Sequence, residues 1–288
     1  VGGTSKGRKT WSLMDLAAAV ASGGKWWGFQ CNLAAVLYIN FELQEFNFRQ
    51  RMDAILKARK CKDASRIHVL NLRGQAADMT VLRPILEKAI EERDFGLLIF
   101  DPIYKLLGKR SENDASEMAD LMNEFEALAV KSTAATIFAH HFSKGAQGSK
   151  FAIDRMSGSG VLARDPDAIA ILSEHQEDDA YICETILRSF PALPPFGLRW
   201  DFPQLKPCGD LDMEGIRQPG RKKKCSDKQI FDLLHRDGLT SNEWQDMAKE
   251  EYDVGRSLFY QVMKRLEKTD MVFKHQDGVW MPMAARKS

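Results

Sequence analysis

Gly3-Thr4-Ser5-Lys6-Gly7-Arg8-Lys9-Thr10 has the residue types and spacing of a phosphate-binding loop, and an apolar helical stretch follows it. In the pattern G-x-x-x-x-G-K-[ST], backbone N–H groups wrap the phosphates, the Lys reaches the same oxygens and the hydroxyl binds Mg²⁺. Gly3, Lys9 and Thr10 fit this pattern in register. Arg8 stands where the second Gly belongs, and a Gly has moved to position 7. Lys6, Gly7 and Arg8 complete the candidate phosphate contacts. A bulky, φ-restricted residue at position 8 puts the ordinary loop conformation in question. A Gly/Ser/Lys turn capping an ordinary helix is the competing reading, so other groups must decide.

Three further positions decide it. Asp101 closes the apolar run Gly96-Leu-Leu-Ile-Phe-Asp, where a carboxylate at a strand end holds Mg²⁺ directly or through water. A helix cap is the alternative for that Asp, but Pro102 follows it. Glu42 closes Val36–Phe41 in the same way and is placed to orient a water for γ-phosphate hydrolysis; Glu45 is the spare candidate. His140 and His141 end the next apolar run and precede Phe142-Ser-Lys-Gly145. A polar group at that point senses the γ-phosphate; a satisfied core histidine is the plainer reading.

Elements that place these groups alternate along the chain. Trp11–Ala21, Phe46–Arg59, Thr80–Arg93 and Asp114–Ser132 have helical spacing, with Thr80 as a cap. Val36–Phe41, Ile67–Leu72, Phe95–Phe100 and Ala135–Ala139 are apolar runs of strand length. The alternation predicts a mostly parallel sheet with helices on both faces, an α/β fold. After residue 150, Ala168–Leu172, Tyr181–Leu187 and Gly197–Phe202 predict antiparallel strands added at the sheet edge. Residues 206–225, punctuated by Pro and Gly and ending in Arg221-Lys-Lys-Lys224, read as a linker. Thus 1–205 forms the large domain and 226–288 a small one. Val1 is not Met and almost no strand precedes the loop, so an N-terminally truncated chain is expected.

The small domain reads as helices at Asp227–Arg236, Thr240 onward and Gly255–Lys268, then a hairpin around Gln276-Asp-Gly278. Thr240 and Glu243 have capping-box spacing. Three helices and a hairpin describe an α+β winged helix. Opposite its apolar face the third helix carries Arg256, Tyr260, Gln261, Lys264, Arg265 and Lys268, with Ser257 near its start. Such residues contact phosphates and bases in recognition helices. Glu243, Asp246, Glu250 and Glu251 make the preceding helix acidic, so protein docking stays open beside DNA binding.

Composition narrows the class. A net charge of +1 gives no global basic field, so any nucleic-acid site is local. No apolar run has the length of a membrane span and no signal peptide is visible, which predicts a cytoplasmic protein without a membrane partner. The five Cys are scattered without metal-ligand spacing.

Taken together, GGTSKGRKTW, LYINFELQ, LLIFDPIYKLLG, FAHHFSKG and MSGSGVLARDPDAI resemble the RecA-like P-loop ATPases, in particular the plasmid RepA-type helicase branch. The resemblance covers roughly residues 1–203. It implies ATP with Mg²⁺, a homo-oligomeric ring, typically a hexamer, and sites at subunit interfaces. It places Lys9 and Thr10 in the phosphate loop, Glu42 as the catalytic glutamate, Asp101 as the Mg²⁺ aspartate and His141 as the strand-end sensor. A ring ATPase also needs a cation reaching into the neighbouring site. Arg155, Arg164, Arg188 and Lys144 are candidates, with Arg164 ranked first. Lys144 and Lys150 lie on a Gly-rich segment expected to grip DNA in a central channel, or to be a mobile surface loop. The function expected is a replicative helicase or helicase loader of a plasmid, phage or mobile element, with replication proteins as possible partners of the winged helix. The alternative is an ATP-switched DNA-binding regulator or recombination mediator that does not unwind.

Overall fold

The computed structural model describes residues 1–4, 7–75, 78–141, 160–191, 193–217, 226–234, 238–252, 254–275 and 277–283. It divides into two compact units, 1–219 and 220–288.

The first unit starts with β1 (Gly2–Gly3) and α1 (Lys9–Ser22), then a small ribbon of β2 (Lys25–Trp26) and β3 (Phe29–Gln30). Next come β4 (Val36–Asn40), α2 (Glu45–Ala58), β5 (Ile67–Asn71), α3 (Met79–Glu92) and β6 (Leu97–Asp101). A single 3₁₀ turn, Ile103–Leu106, leads to α4 (Ala115–Ser132), β7 (Ala135–Phe138) and β8 (His140–His141). After α5 (Val161–Arg164) the unit closes with β9 (Ala168–Glu174), β10 (Ala180–Leu187), β11 (Phe196–Asp201) and β12 (Gln204–Cys208).

Parallel pairing orders the first sheet β5-β4-β6-β7, and a second runs β12-β11-β10-β9-β1-β8. β7 and β8 are one run of chain that changes partner at Ala139. Its first half pairs with β6 and its second with β1, Gly2 opposite His140. The switch carries His140 and His141 out beside the phosphate loop.

Period-two alternation sorts the core onto two faces. Leu37, Ile39, Leu98 and Phe100 pack against α3 and α4 through Leu82, Leu86, Leu121 and Phe125. Val36, Tyr38, Leu97 and Ile99 pack against α1 and α2 through Leu13, Ala17, Phe48 and Ile55. Each such fully buried aliphatic side chain contributes roughly 1.5–3 kcal/mol. Parallel strands covered on both faces need continuous apolar runs, as β4 and β6 have.

Four sequence expectations need correction. The α3 cap is Asp78, whose side chain accepts from Thr80 N–H, because a carboxylate fits the start of a helix better than the Thr that follows it. β9 pairs antiparallel with β10, as expected, but parallel with β1 on its other side, so the antiparallel pairing begins at the β9–β10 step and continues through β11 and β12. The predicted linker begins too early. Lys206–Cys208 completes β12 against β11, and after a turn the chain returns to β9 through a bridge of Ile216 with His175 and an Arg217 N–H bond to Glu174 O. The helix predicted at Asp227–Arg236 ends at Asp232.

The second unit holds α6 (Asp227–Asp232), α7 (Ser241–Tyr252), α8 (Arg256–Lys268) and the antiparallel pair β13 (Val272–Lys274) and β14 (Trp280–Pro282). Ser226 and Gln229 form a capping box at α6, and Thr240 and Glu243 bond reciprocally before α7. Ile230, Trp244, Phe259, Val262, Leu266 and Trp280 form its core.

Candidate active site

Where β1, β4, β6 and β8 end, a cavity of about 320 Å³ opens, lined by residues that include Gly7, Arg8, Lys9, Thr10, Glu42, Asp101 and His141. Ligands of open α/β sheets bind at the carboxyl ends of the strands. A larger hollow of about 890 Å³ lies at the opposite edge, against strand starts such as Leu97 and Ala135, and contains none of those seven residues.

The phosphate loop is built tightly. Gly7 N–H donates to Thr4 O, and a Cβ at position 7 would meet Thr4 Oγ1 at 2.8 Å, so only glycine fits there. Arg8 then takes the left-handed conformation, φ 62° and ψ 10°. The sequence put the loop in question at this position; instead Arg8 adopts the backbone state that glycine reaches freely. The cost for a residue with a Cβ is roughly 1–2 kcal/mol. Its side chain recovers part of that: the guanidinium lies 4.3 Å from the Trp200 ring centroid and 3.3 Å from Asp179 Oδ1. Arg8, at the N-cap, makes no side-chain hydrogen bond to α1, and the helix start at Lys9 and Thr10 lines the cavity with the positive end of its dipole.

Lys9 is buried. Its Nζ donates to Gly3 O at 2.9 Å and Thr4 O at 2.6 Å, and lies 3.2 Å from His141 Nδ1. Burial pulls its pKa down to about 8, against the attraction of Asp101, Glu42 and Glu174. Burial and the Lys9 charge also lower the pKa of His141. A neutral imidazole accepting from Lys9 at Nδ1 satisfies both groups. His141 is therefore wired to the phosphate-loop lysine, while His140 is buried with Nε2 3.2 Å from Glu112 Oε1.

Asp101 is buried, and burial raises its pKa; hydrogen bonds from Tyr38 and Thr10 oppose that shift. Tyr38 Oη donates to Asp101 Oδ2 at 2.6 Å. Thr10 hydroxyl and Asp101 carboxylate thus form a hard oxygen pair. Mg²⁺ takes few protein oxygens and completes its shell from phosphates and water, so this pair suits it. Among the described residues no larger cluster of metal-ligating side chains occurs.

Glu42 is held by its neighbour. Asn40, buried at the end of β4, accepts from the N–H groups of Glu42 and Leu43 and donates to Leu43 O and Asn71 Oδ1. That bracket turns the chain so that Glu42 reaches the cavity. Glu45 instead pairs with Arg49 on the surface of α2.

Two further cavity groups, Arg51 and Trp11, were not singled out as site residues from sequence. Arg51 projects from α2, its guanidinium 4.9 Å from the Trp11 ring centroid. The family described as AAA domain matches residues 1–147, just over half of the chain. The chain belongs to the AAA domain family. No curated protein matches it.

The AAA domain match makes the protein an ATPase of the P-loop type and implies nucleotide binding. The match contains Lys9, Thr10, Glu42, Asp101 and His141. Arg164 lies beyond it, exposed on α5, its Nε 3.3 Å from Gly160 O. Arg188 is committed to Asp167 and to the Arg164 and Asp165 carbonyls. Lys6, Lys144, Lys150 and Arg155 lie outside the described residues, as does the side chain of Ser257. In the second unit Arg256 and Lys264 are exposed on α8 and Tyr260 is half-buried, whereas Arg265 is tied to Asp227 by two hydrogen bonds. Among the described residues, no helix is long and apolar enough to cross a membrane.

Proposed function

We propose that the protein is an ATP-hydrolysing, DNA-associated ring ATPase, a replicative helicase or helicase loader of a plasmid, phage or other mobile element. The observation that carries the reading is convergence: Lys9, Thr10, Glu42, Asp101 and His141, drawn from three strand ends and one helix start, line one cavity.

The α1 N–H groups and Lys9 receive the β- and γ-phosphates. Thr10 and Asp101 would hold Mg²⁺, which neutralises charge on the phosphate oxygens when bound. Glu42, aimed by Asn40, orients the attacking water and accepts its proton. His141 reports occupancy, because triphosphate competes with it and with the Gly3 and Thr4 carbonyls for Lys9. Arg164, exposed outside its own cavity, supplies the cation for a neighbouring subunit, and the ring that this requires is a hexamer. The second unit, with three helices and a hairpin, is a winged helix; Arg256, Ser257, Tyr260 and Lys264 are its DNA contacts, joined by Lys144 and Lys150.

Turnover and strand displacement on forked DNA test the reading. ATP hydrolysis stimulated by single-stranded DNA, with displacement, supports a helicase. Stimulation without displacement leaves the ATP-switched regulator or mediator, and hydrolysis indifferent to any DNA removes nucleic acid from the account.

A further inference from the structure

Thr4 is the hub of the phosphate loop. Its carbonyl oxygen accepts from Gly7 N–H at 3.1 Å and from Lys9 Nζ at 2.6 Å. Whatever fixes Thr4 therefore fixes both the glycine turn and the phosphate-binding lysine. The anchor lies 170 residues away, at the end of β9, where Glu174 Oε1 accepts from the Thr4 hydroxyl at 2.8 Å. A hydroxyl bonded to a carboxylate is a charge-assisted contact, stronger than one between neutral groups. A second tether, Arg8 to Asp179 in the β9–β10 turn, is more open to solvent and contributes less.

Glu174 is itself held from its far side. Its other oxygen, Oε2, lies 3.7 Å from Arg217 Nη1, and Arg217 N–H donates to Glu174 O at 2.7 Å. Arg217 Nη2 also donates to Asp178 Oδ1 at 2.7 Å and to Gln176 O at 3.2 Å. Residues 212–217 form a strap on this corner: Gln176 N–H donates to Gly215 O, His175 bridges Ile216, and His175 Nε2 lies 3.0 Å from Asp212 O. One carboxylate thus has one oxygen on the phosphate loop and the other on the strap. Its charge favours the protonated form of Lys9, but the same charge repels a bound polyanion. The Arg217 guanidinium offsets that repulsion without touching the loop.

Resting on the phosphate-loop reading above, we propose that Glu174 is a positioning residue for triphosphate binding, acting through Thr4, and that Arg217 locks and neutralises it. Linkage then runs both ways: a strap that strengthens phosphate binding is itself docked more firmly when phosphate binds.

The test is calorimetric binding of inorganic tripolyphosphate to the full chain and its variants. Thr4→Val is expected to bind about 10-fold more weakly, the scale of one hydrogen bond to a charged group, and Thr4→Ser to recover most of the loss. That recovery separates the hydroxyl from a general loss of fold. Arg217→Ala is expected to bind about 5-fold more weakly, and the double variant Thr4→Val with Arg217→Ala little more weakly than Thr4→Val alone, because both act through Glu174. In the wild type, hydrogen exchange at the Gln176 and Arg217 amides should slow on binding, and in Thr4→Val it should not. Wild-type affinity in Thr4→Val, fully additive losses in the double variant, or exchange that ignores the ligand would each overturn the proposal. Binding lost in Lys9→Ala but kept in Thr4→Val would overturn the positioning role alone. No tripolyphosphate binding by the wild type would overturn the phosphate loop and the positioning role together.

Discussion

The two units bury different things. Every buried polar or charged side chain among the described residues belongs to the first: Lys9, Ser12, Asp15, Asn40, Asp101, Ser132, His140, Ser173 and His175. The second has an apolar core, and its buried Trp244 indole donates to Ile230 O while Trp280 donates to Ser241 Oγ. Buried ionic groups are expensive unless paired and hydrogen-bonded. Lys9 and Asp101 line the cavity proposed for phosphate, while Asp15, Asn40, Ser132, His140 and His175 lie outside its lining and are each held by hydrogen-bonded or ionic partners. The second unit keeps its charge outside, as a recognition or docking surface does. The first unit's buried charges and the second unit's apolar core therefore differ in what losing one partner costs.

Lys9→Ala should show the largest effect and sharpen this contrast. Triphosphate binding is expected to fall about 100-fold or more, because a charge-assisted contact is lost. The same lysine predicts a pH dependence. Between about pH 8 and its ordinary 10.5, the unfolded chain keeps a proton that the folded chain has released. Stability of the nucleotide-free protein therefore rises with pH across that window, and Lys9→Met should flatten the rise in a denaturation series.

Ion pairs offer the next comparison. Asp15 on α1 is 4% exposed and is gripped by Arg59 through two bonds of 2.6 Å, with Gln204 as a third partner. Arg59→Ala strands that carboxylate and should cost about 3–5 kcal/mol in the unfolding of the first unit. Arg265 and Asp227 make a similar fork on the second unit's surface, at 44% and 30% exposure. There Arg265→Ala should cost under about 1 kcal/mol. Equal losses in urea titrations would erase the distinction between the units.

Tyr38→Phe removes one hydroxyl and leaves the core shape. The lost hydrogen bond to a carboxylate is worth about 1.5–3 kcal/mol. That bond holds the Asp101 pKa down, so the acid limb of turnover should move to higher pH. An unmoved limb would show that Tyr38 is only packing.

Much of this was readable in advance. Apolar runs ending in Glu42, Asp101 and His141 announce themselves, because a parallel sheet needs continuous hydrophobes and a polar residue at the end breaks the run. Tyr38 was hidden because a tyrosine inside such a run reads as a hydrophobe. Arg51 looked like any solvated residue of α2. Glu174 comes to Thr4 only because β9 lies beside β1, a contact no local pattern reports. β12 itself was lost to its Pro207-Cys-Gly209 segment, whose turn-like composition outweighed an edge-strand role that tolerates proline.

Glu42→Gln tests the central claim most directly, with ATP binding and ATP turnover measured side by side on the full chain. The account predicts binding within a few-fold of wild type and turnover reduced about 100-fold or more, the scale of a lost general base. Turnover close to wild type would contradict it and move the water-activating role away from the end of β4.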